Sequence, residues 1–195
     1  MNPNAYRDQL GLYGLPTQAA LLLSQLNAPP RLLAHAILVH DVAQQLVSAL
    51  RENWPKLAID RDQVAFGAAL HDIGKIHYPE ELSSPGHLHE AAGQAMLIAA
   101  GIDAQLARFC LTHAAWRTQT LALEDLLVAL ADTCWKGKRQ QALEEQVLTH
   151  IQAHYPEQAW EILLFVDELI EGLAAQADQR LAWQAQFPVA SGNGT

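Results

Sequence analysis

Apolar residues in this chain of 195 recur at the three-to-four-residue spacing of helices, and no stretch alternates with the period of two that a half-buried strand requires. No Asn-Gly hairpin signal appears either. Breakers divide the helical pattern. Thr17–Leu26 stops at Asn27 and the Pro29–Pro30 pair, and a long amphipathic helix runs from Pro30, a favourable first-turn residue, to Asn53. Asp60 is placed to cap Arg61–His71, and Gly74–Gly86, with two prolines and two serines, reads as a loop. His87–Ala100 ends at Gly101, and Asp103 caps a helix running to about His113. Leu121–Lys136, Arg139–His154 and Pro156–Gln184 complete the series. The expected fold class is all-α, a compact helical array rather than an up-down four-helix bundle. No composition shift divides the chain, so one domain over 1–195 is expected, with an irregular lead-in (1–16), a core (30–138) and C-terminal helices (139–185).

Composition excludes several classes. Half the residues are hydrophobic and 17% are charged, which is incompatible with a disordered acidic chain. Twelve Lys and Arg against 21 Asp and Glu give a net charge of −9, so an extended nucleic-acid duplex is not an expected partner. Cys110 and Cys134 are too few for a disulfide framework, and Cys134 lies in an apolar run. Uninterrupted apolar runs such as Ala95–Ile102 are far shorter than the ~18 residues of a membrane span. The N-terminus lacks a basic segment followed by an apolar one, so a cytoplasmic location without membrane attachment is expected.

The informative residues are polar groups on apolar stripes. From His35, helical neighbours at i+3, i+4 and i+7 are Leu38, Val39 and Val42, so His35 sits in the core-facing stripe. His40 and Asp41 fall off that stripe and are expected to face solvent. Asp132 lies one turn after Val128 and Ala129 and one turn before Trp135; a buried carboxylate there costs several kcal/mol unless paired or coordinated. His71 and Asp72 end an apolar helix whose Gly67–Ala69 run permits close helix approach. His89 heads a stripe with Gly93 and Met96, and His113 shares a face with Phe109 and Leu106. Each taken singly is compatible with a hydrogen-bonded core residue, and Asp132 with a structural salt bridge. Together, His35, His71, Asp72, His89, His113 and Asp132 are the imidazole and carboxylate donors that suit a transition metal. A divalent cation would offset the cost of both aspartates. Six donors exceed one tetrahedral site, which favours two ions sharing a bridging carboxylate.

The order of these residues, His35, then His71–Asp72 in LHDIGKI, then Asp132 in ALAD, resembles the HD superfamily of metal-dependent phosphohydrolases. The resemblance covers about Pro30 to Lys138. His89 in HEAAG and His113 in FCLTHAAW are similar to the two extra histidines of the dinuclear members, whereas His40–Asp41 is an HD dipeptide outside the pattern. The resemblance implies an HD-domain helical array in which His35, His71, Asp72 and Asp132 hold a first metal. Asp72 would bridge to a second metal held by His89 and His113, and Lys75 would stand near the substrate phosphate. AAWRTQT after His113 lacks the second histidine and the GYP signature of the cyclic-dinucleotide phosphodiesterases that HDIGKI otherwise resembles, which argues against that specificity.

The function these features imply is hydrolysis of a phosphate ester of a small metabolite or nucleotide by metal-activated water, with Asp72 and Lys75 as catalytic residues. Iron or manganese is the expected cofactor, at two ions per chain, with magnesium, nickel and cobalt as further candidates. Arg117 and Lys136 lie near the site in sequence, and surface solvation is the simpler reading of each. Two other classes fit parts of the pattern: an HD-type mixed-valent diiron oxygenase, with a similar six-ligand set, and a non-catalytic nucleotide-sensing module, which could discard ligands that this chain retains.

Overall fold

The computed structural model describes residues 11–189, and among the described residues the periodicity is realised as helices without a strand. In chain order these are α1 (Thr17–Gln25), α2 (Pro30–Asn53), α3 (Arg61–Leu70), α4 (Leu88–Ala99), α5 (Ala104–Ala107), α6 (Phe109–Ala115), α7 (Leu123–Cys134), α8 (Gln141–His154), α9 (Ala159–Ala174) and α10 (Ala177–Gln184). Short 3-10 turns stand at Ile73–Ile76, Pro79–Leu82 and Pro156–Gln158. The helix starts follow the expected chemistry. Pro30 opens α2, and Asp60 accepts from the backbone N–H groups of Asp62 (3.1 Å) and Gln63 (3.0 Å) at the start of α3. Gly101 takes a positive φ of 80° after α4.

Two expected helices are subdivided. The one after Asp103 passes through Arg108 into α6, and Pro156–Gln184 becomes a 3-10 turn, α9 and α10. At the second break the buried Arg180 guanidinium donates to the Leu173 carbonyl (2.6 Å), satisfying a carbonyl at the end of α9 while α10 turns away.

Helix α2 is the axis of the fold, packed by α3, α7 and α10. It therefore buries nearly its whole circumference instead of one stripe. This overturns the expectation that His40 and Asp41 face solvent: both are only 3% exposed. Asp41 accepts from the Tyr13 N–H (3.1 Å) and the Gln45 amide (2.6 Å), and burial raises its pKa. Burial likewise lowers the His40 pKa to about 4, with Arg61 nearby adding to the effect. A stripe argument assumes that a helix has a wet face, and α2 has none along its middle. By length and composition α2 could also cross a membrane, but 78% of its most apolar window is buried in the fold, as befits a core helix.

Two apolar cores result. The larger draws on α2, α3, α7, α8 and α9, and the smaller on α1, the opposite side of α3, α4 and Cys110. Helices α2, α3 and α6 contribute to both, and these same helices carry or end at His35, His71 and His113.

Small residues set the spacing around them. A Cβ at Gly67 would stand 2.5 Å from the Phe109 ring, so α3 and α6 meet at van der Waals contact there. The turn after Asp72 approaches α4 more closely still: a Cβ at Gly74 would lie 1.9 Å from the His89 carbonyl oxygen and 2.6 Å from the Gly93 nitrogen. This backbone-to-backbone contact seats His89 beside Asp72. Neither wall is a movable side chain, so Gly74→Ala should cost ~2 kcal/mol or more in urea unfolding. Gly172, inside α9 with open space around it, should instead gain up to ~1 kcal/mol as Ala. Equal responses of the two variants would contradict this reading of the Gly74 contact.

Candidate metal centre

Six side chains from five parts of the chain converge. His35 projects from α2, His71 from the C-cap of α3, and Asp72 from the next residue; His89 comes from the first turn of α4, His113 from α6 and Asp132 from α7. Donor atoms of His35, His71 and Asp132 lie within 4.8 Å of one another, and so do those of Asp72, His89 and His113. Asp72 stands between the two triads. Its Oδ2 is 3.0 Å from His35 Nε2 and 3.6 Å from His71 Nε2, while its Oδ1 is 3.0 Å from His89 Nε2 and 3.7 Å from His113 Nε2. Asp132 Oδ1 lies 3.5 Å from His35 and 3.6 Å from His71.

The far side of the imidazoles explains why Nε2 faces inward. His71 Nδ1 is 3.1 Å from the Ala68 carbonyl and His113 Nδ1 is 3.0 Å from the Phe109 carbonyl, so each can donate back into its own helix and keep Nε2 as a lone pair. His89 Nδ1 instead meets the Glu81 carboxylate at 2.5 Å. Trp135 Nε1 donates to Asp132 Oδ1 at 3.2 Å and packs its ring edge-on to His35. Two ammonium groups flank the carboxylates, Lys75 Nζ at 2.6 Å from Asp72 Oδ2 and Lys136 Nζ at 3.2 Å from Asp132 Oδ2.

The electrostatics favour ligation. Burial opposes ionisation of Asp72, but His71, Lys75 and the neighbouring imidazoles of His35 and His89 outweigh it and hold the carboxyl well below its usual range. Burial of Asp132 is likewise outweighed by His71 and Lys136. Burial lowers the pKa of His35 despite Asp72, and brings that of His113 to about 4. Ionised carboxylates and neutral imidazoles are the states that bind a metal. His89 differs, because Asp72 and Glu81 outweigh its burial and raise its pKa.

The residues fit a cation on one observation in particular. His89 Nε2 is buried, has no aligned hydrogen-bond partner, and stands 3.0 Å from a carboxylate oxygen. A buried polar atom without a partner is costly, and a cation between this nitrogen and Asp72 Oδ1 would satisfy both.

The structure thus brings together all six expected donors and Lys75. Asp132, expected to be buried, stands nearer the rim with its side chain 21% exposed. Lys136, expected at the surface, reaches the Asp132 carboxylate, whereas Arg117 stacks on Trp116 and donates to Gln140. Glu81 and Trp135 are the contributors that sequence reasoning missed. Trp135 lies one turn from Asp132 and is legible on that spacing; Glu81 lies in the Gly74–Gly86 loop, where no periodicity singles it out.

The family model for the HD domain matches residues 33–148, more than half of the chain and all six donors. Comparison with curated proteins and with solved structures gives no match. With the ordered donors, the all-helical array and this match in agreement, the chain belongs to the HD-domain family, whose members are generally metal-dependent hydrolases.

Proposed function

We propose that this chain is a phosphohydrolase that uses two divalent transition-metal ions to hydrolyse a phosphate ester of a small metabolite or nucleotide. The observation that carries the reading is the position of Asp72, with one oxygen turned to each histidine pair. His35, His71 and Asp132 would hold one ion, His89 and His113 the other, and Asp72 both. Bound there, divalent iron or manganese would supply Lewis acidity that activates water and polarises phosphoryl oxygens.

The remaining roles fall to the chain itself. Trp135 fixes Asp132 Oδ1 through its indole N–H and leaves Oδ2 to Lys136. Lys75 and Lys136 are 17% and 29% exposed along their side chains, so each ammonium can turn toward an arriving phosphate. The long stems let each charge follow the phosphoryl group as negative charge develops on it. A neutral substrate would leave these cations without a task, which favours a phosphate over the organic substrate of a diiron oxygenase.

The metal-replete protein should hold two ions per chain by elemental analysis and should release phosphate from nucleotides or sugar phosphates without consuming oxygen. One ion or fewer would remove the dinuclear site, and oxygen uptake with an organic substrate would move the chain to the oxygenases. His89→Ala and His113→Ala should each keep one ion and a folded structure while losing at least ~100-fold in turnover, the scale of a lost metal role. If both residues are only packing, these variants would show a lower melting temperature with unchanged stoichiometry.

Lys75→Met should chiefly lower kcat/KM for a phosphate ester, by roughly 10- to 1,000-fold as expected for removing one charge-stabilising donor, at unchanged metal content. Loss of an ion in that variant would assign Lys75 to holding Asp72 instead of the substrate.

A further inference from the structure

The three histidines that turn Nε2 inward with a partner behind them differ in that partner. His71 and His113 stand three and four residues after the carbonyls they face, Ala68 and Phe109, within continuous helical turns. His89 is the second residue of α4, where no preceding turn exists to offer a carbonyl. Its Nδ1 is met by Glu81, from the 3-10 turn Pro79–Leu82. The Glu81 side chain is only 6% exposed and accepts three N–H donors: Oε1 from the Leu88 backbone at 3.1 Å, and Oε2 from the His89 backbone at 3.2 Å and His89 Nδ1 at 2.5 Å. A Cβ at Gly86 would fall 2.2 Å from this carboxylate, so the loop is shaped around it.

We propose that Glu81 is a positioning residue that sets occupancy of the second ion, by fixing His89 with its proton on Nδ1 and its Nε2 lone pair toward Asp72. The proposal rests on the dinuclear reading above. The geometry gives it a direction. A carboxylate behind an imidazole raises the basicity of the ligand more than a backbone carbonyl does, and outer partners of this kind are ordinarily worth about 10- to 100-fold in metal affinity. Among the described residues Glu81 makes no hydrogen bond or ion pair with another donor of the site, so its effect belongs to the ion at His89 and His113, leaving the ion at His35, His71 and Asp132 with its own supports. One carboxylate thus both caps the start of α4 and orients the His89 imidazole there.

The test is a stepwise cobalt(II) titration of the chelated 195-residue chain, read by visible absorption and elemental content. It compares wild type, Glu81→Ala, Glu81→Gln and, as a cap-loss control away from the site, Asp103→Ala, whose side chain accepts from the Gln105 N–H. Wild type should take two ions. Glu81→Ala should bind the first ion normally and the second about 10- to 100-fold more weakly. Glu81→Gln, which keeps an acceptor but not the charge, should fall between them, and excess metal should restore the second ion in both. Asp103→Ala should melt earlier with both ions bound as in wild type. Two ions bound with wild-type affinity in both Glu81 variants, or equal weakening of both ions, would overturn the role of Glu81. Fewer than two ions in wild type would instead overturn the dinuclear reading itself. Should Glu81→Ala fail to fold, the near-isosteric Glu81→Gln decides alone: a weaker second ion supports the proposal, and an unchanged one overturns it.

Discussion

A single carboxylate, that of Asp72, has to be ionised in a place where water hardly reaches. Its oxygens stand 3.0 Å from imidazole nitrogens on both sides, and the nearest full positive charge is Lys75 at 2.6 Å. Removing a carboxylate from water costs several kcal/mol, so the groups that compensate it must be held in place by rigid parts of the molecule. The array supplies that rigidity from four directions: α2 and α3 present His35 and His71 to one oxygen, and α4 and α6 present His89 and His113 to the other. Gly67 against the Phe109 ring and Gly74 against the α4 backbone are the price of that close approach, since a side chain at either position would push an element carrying one of these histidines away.

That constraint explains what could be read from the sequence. Helices α2 and α3 are legible because apolar spacing and end residues agree there, at Pro30 and Asp60, and α7 and α8 are legible from apolar spacing alone. All six candidate donors stand out in the sequence because a charged or imidazole side chain on an apolar stripe has to be compensated by something. His40 and Asp41 lie off the apolar stripe and yet are as buried as His35. Periodicity reports the direction in which a side chain points, and only the packing of α3, α7 and α10 around α2 decides whether that direction is wet. Asp41 is answered by a backbone N–H, an amide and the nearby charge of Arg180, partners that lie 28 residues before it, four after it and far along the chain.

Glu81 was illegible for a different reason. Loop segments carry no periodicity against which an unusual residue can stand out, and Glu80–Glu81 reads as a solvated acidic pair. Its position makes sense only once His89 is known to be the second residue of a helix, without a carbonyl behind it. Helix starts are where buried ligands most need support from outside their own helix, because the first turn has no intrahelical acceptor to lend.

Charge also bears on what such a centre could receive. Asp72, Asp132 and Glu81 contribute three negative charges, and Lys75 and Lys136 two positive ones, so these five side chains carry a net single negative charge. On the proposed reading, two divalent ions would turn this into three positive charges in a partly desolvated space. An arriving phosphate monoester dianion would bring the total close to neutrality. A neutral organic substrate would leave the excess intact, at a cost that grows as water is excluded. The lysines fit the same requirement from the other side: each ammonium is paired with one of these carboxylates, Lys75 with Asp72 and Lys136 with Asp132. Ions that take over those carboxylates would free both ammonium groups at the edge of the site. The two cations would then become available to a phosphate in the state that could act on it.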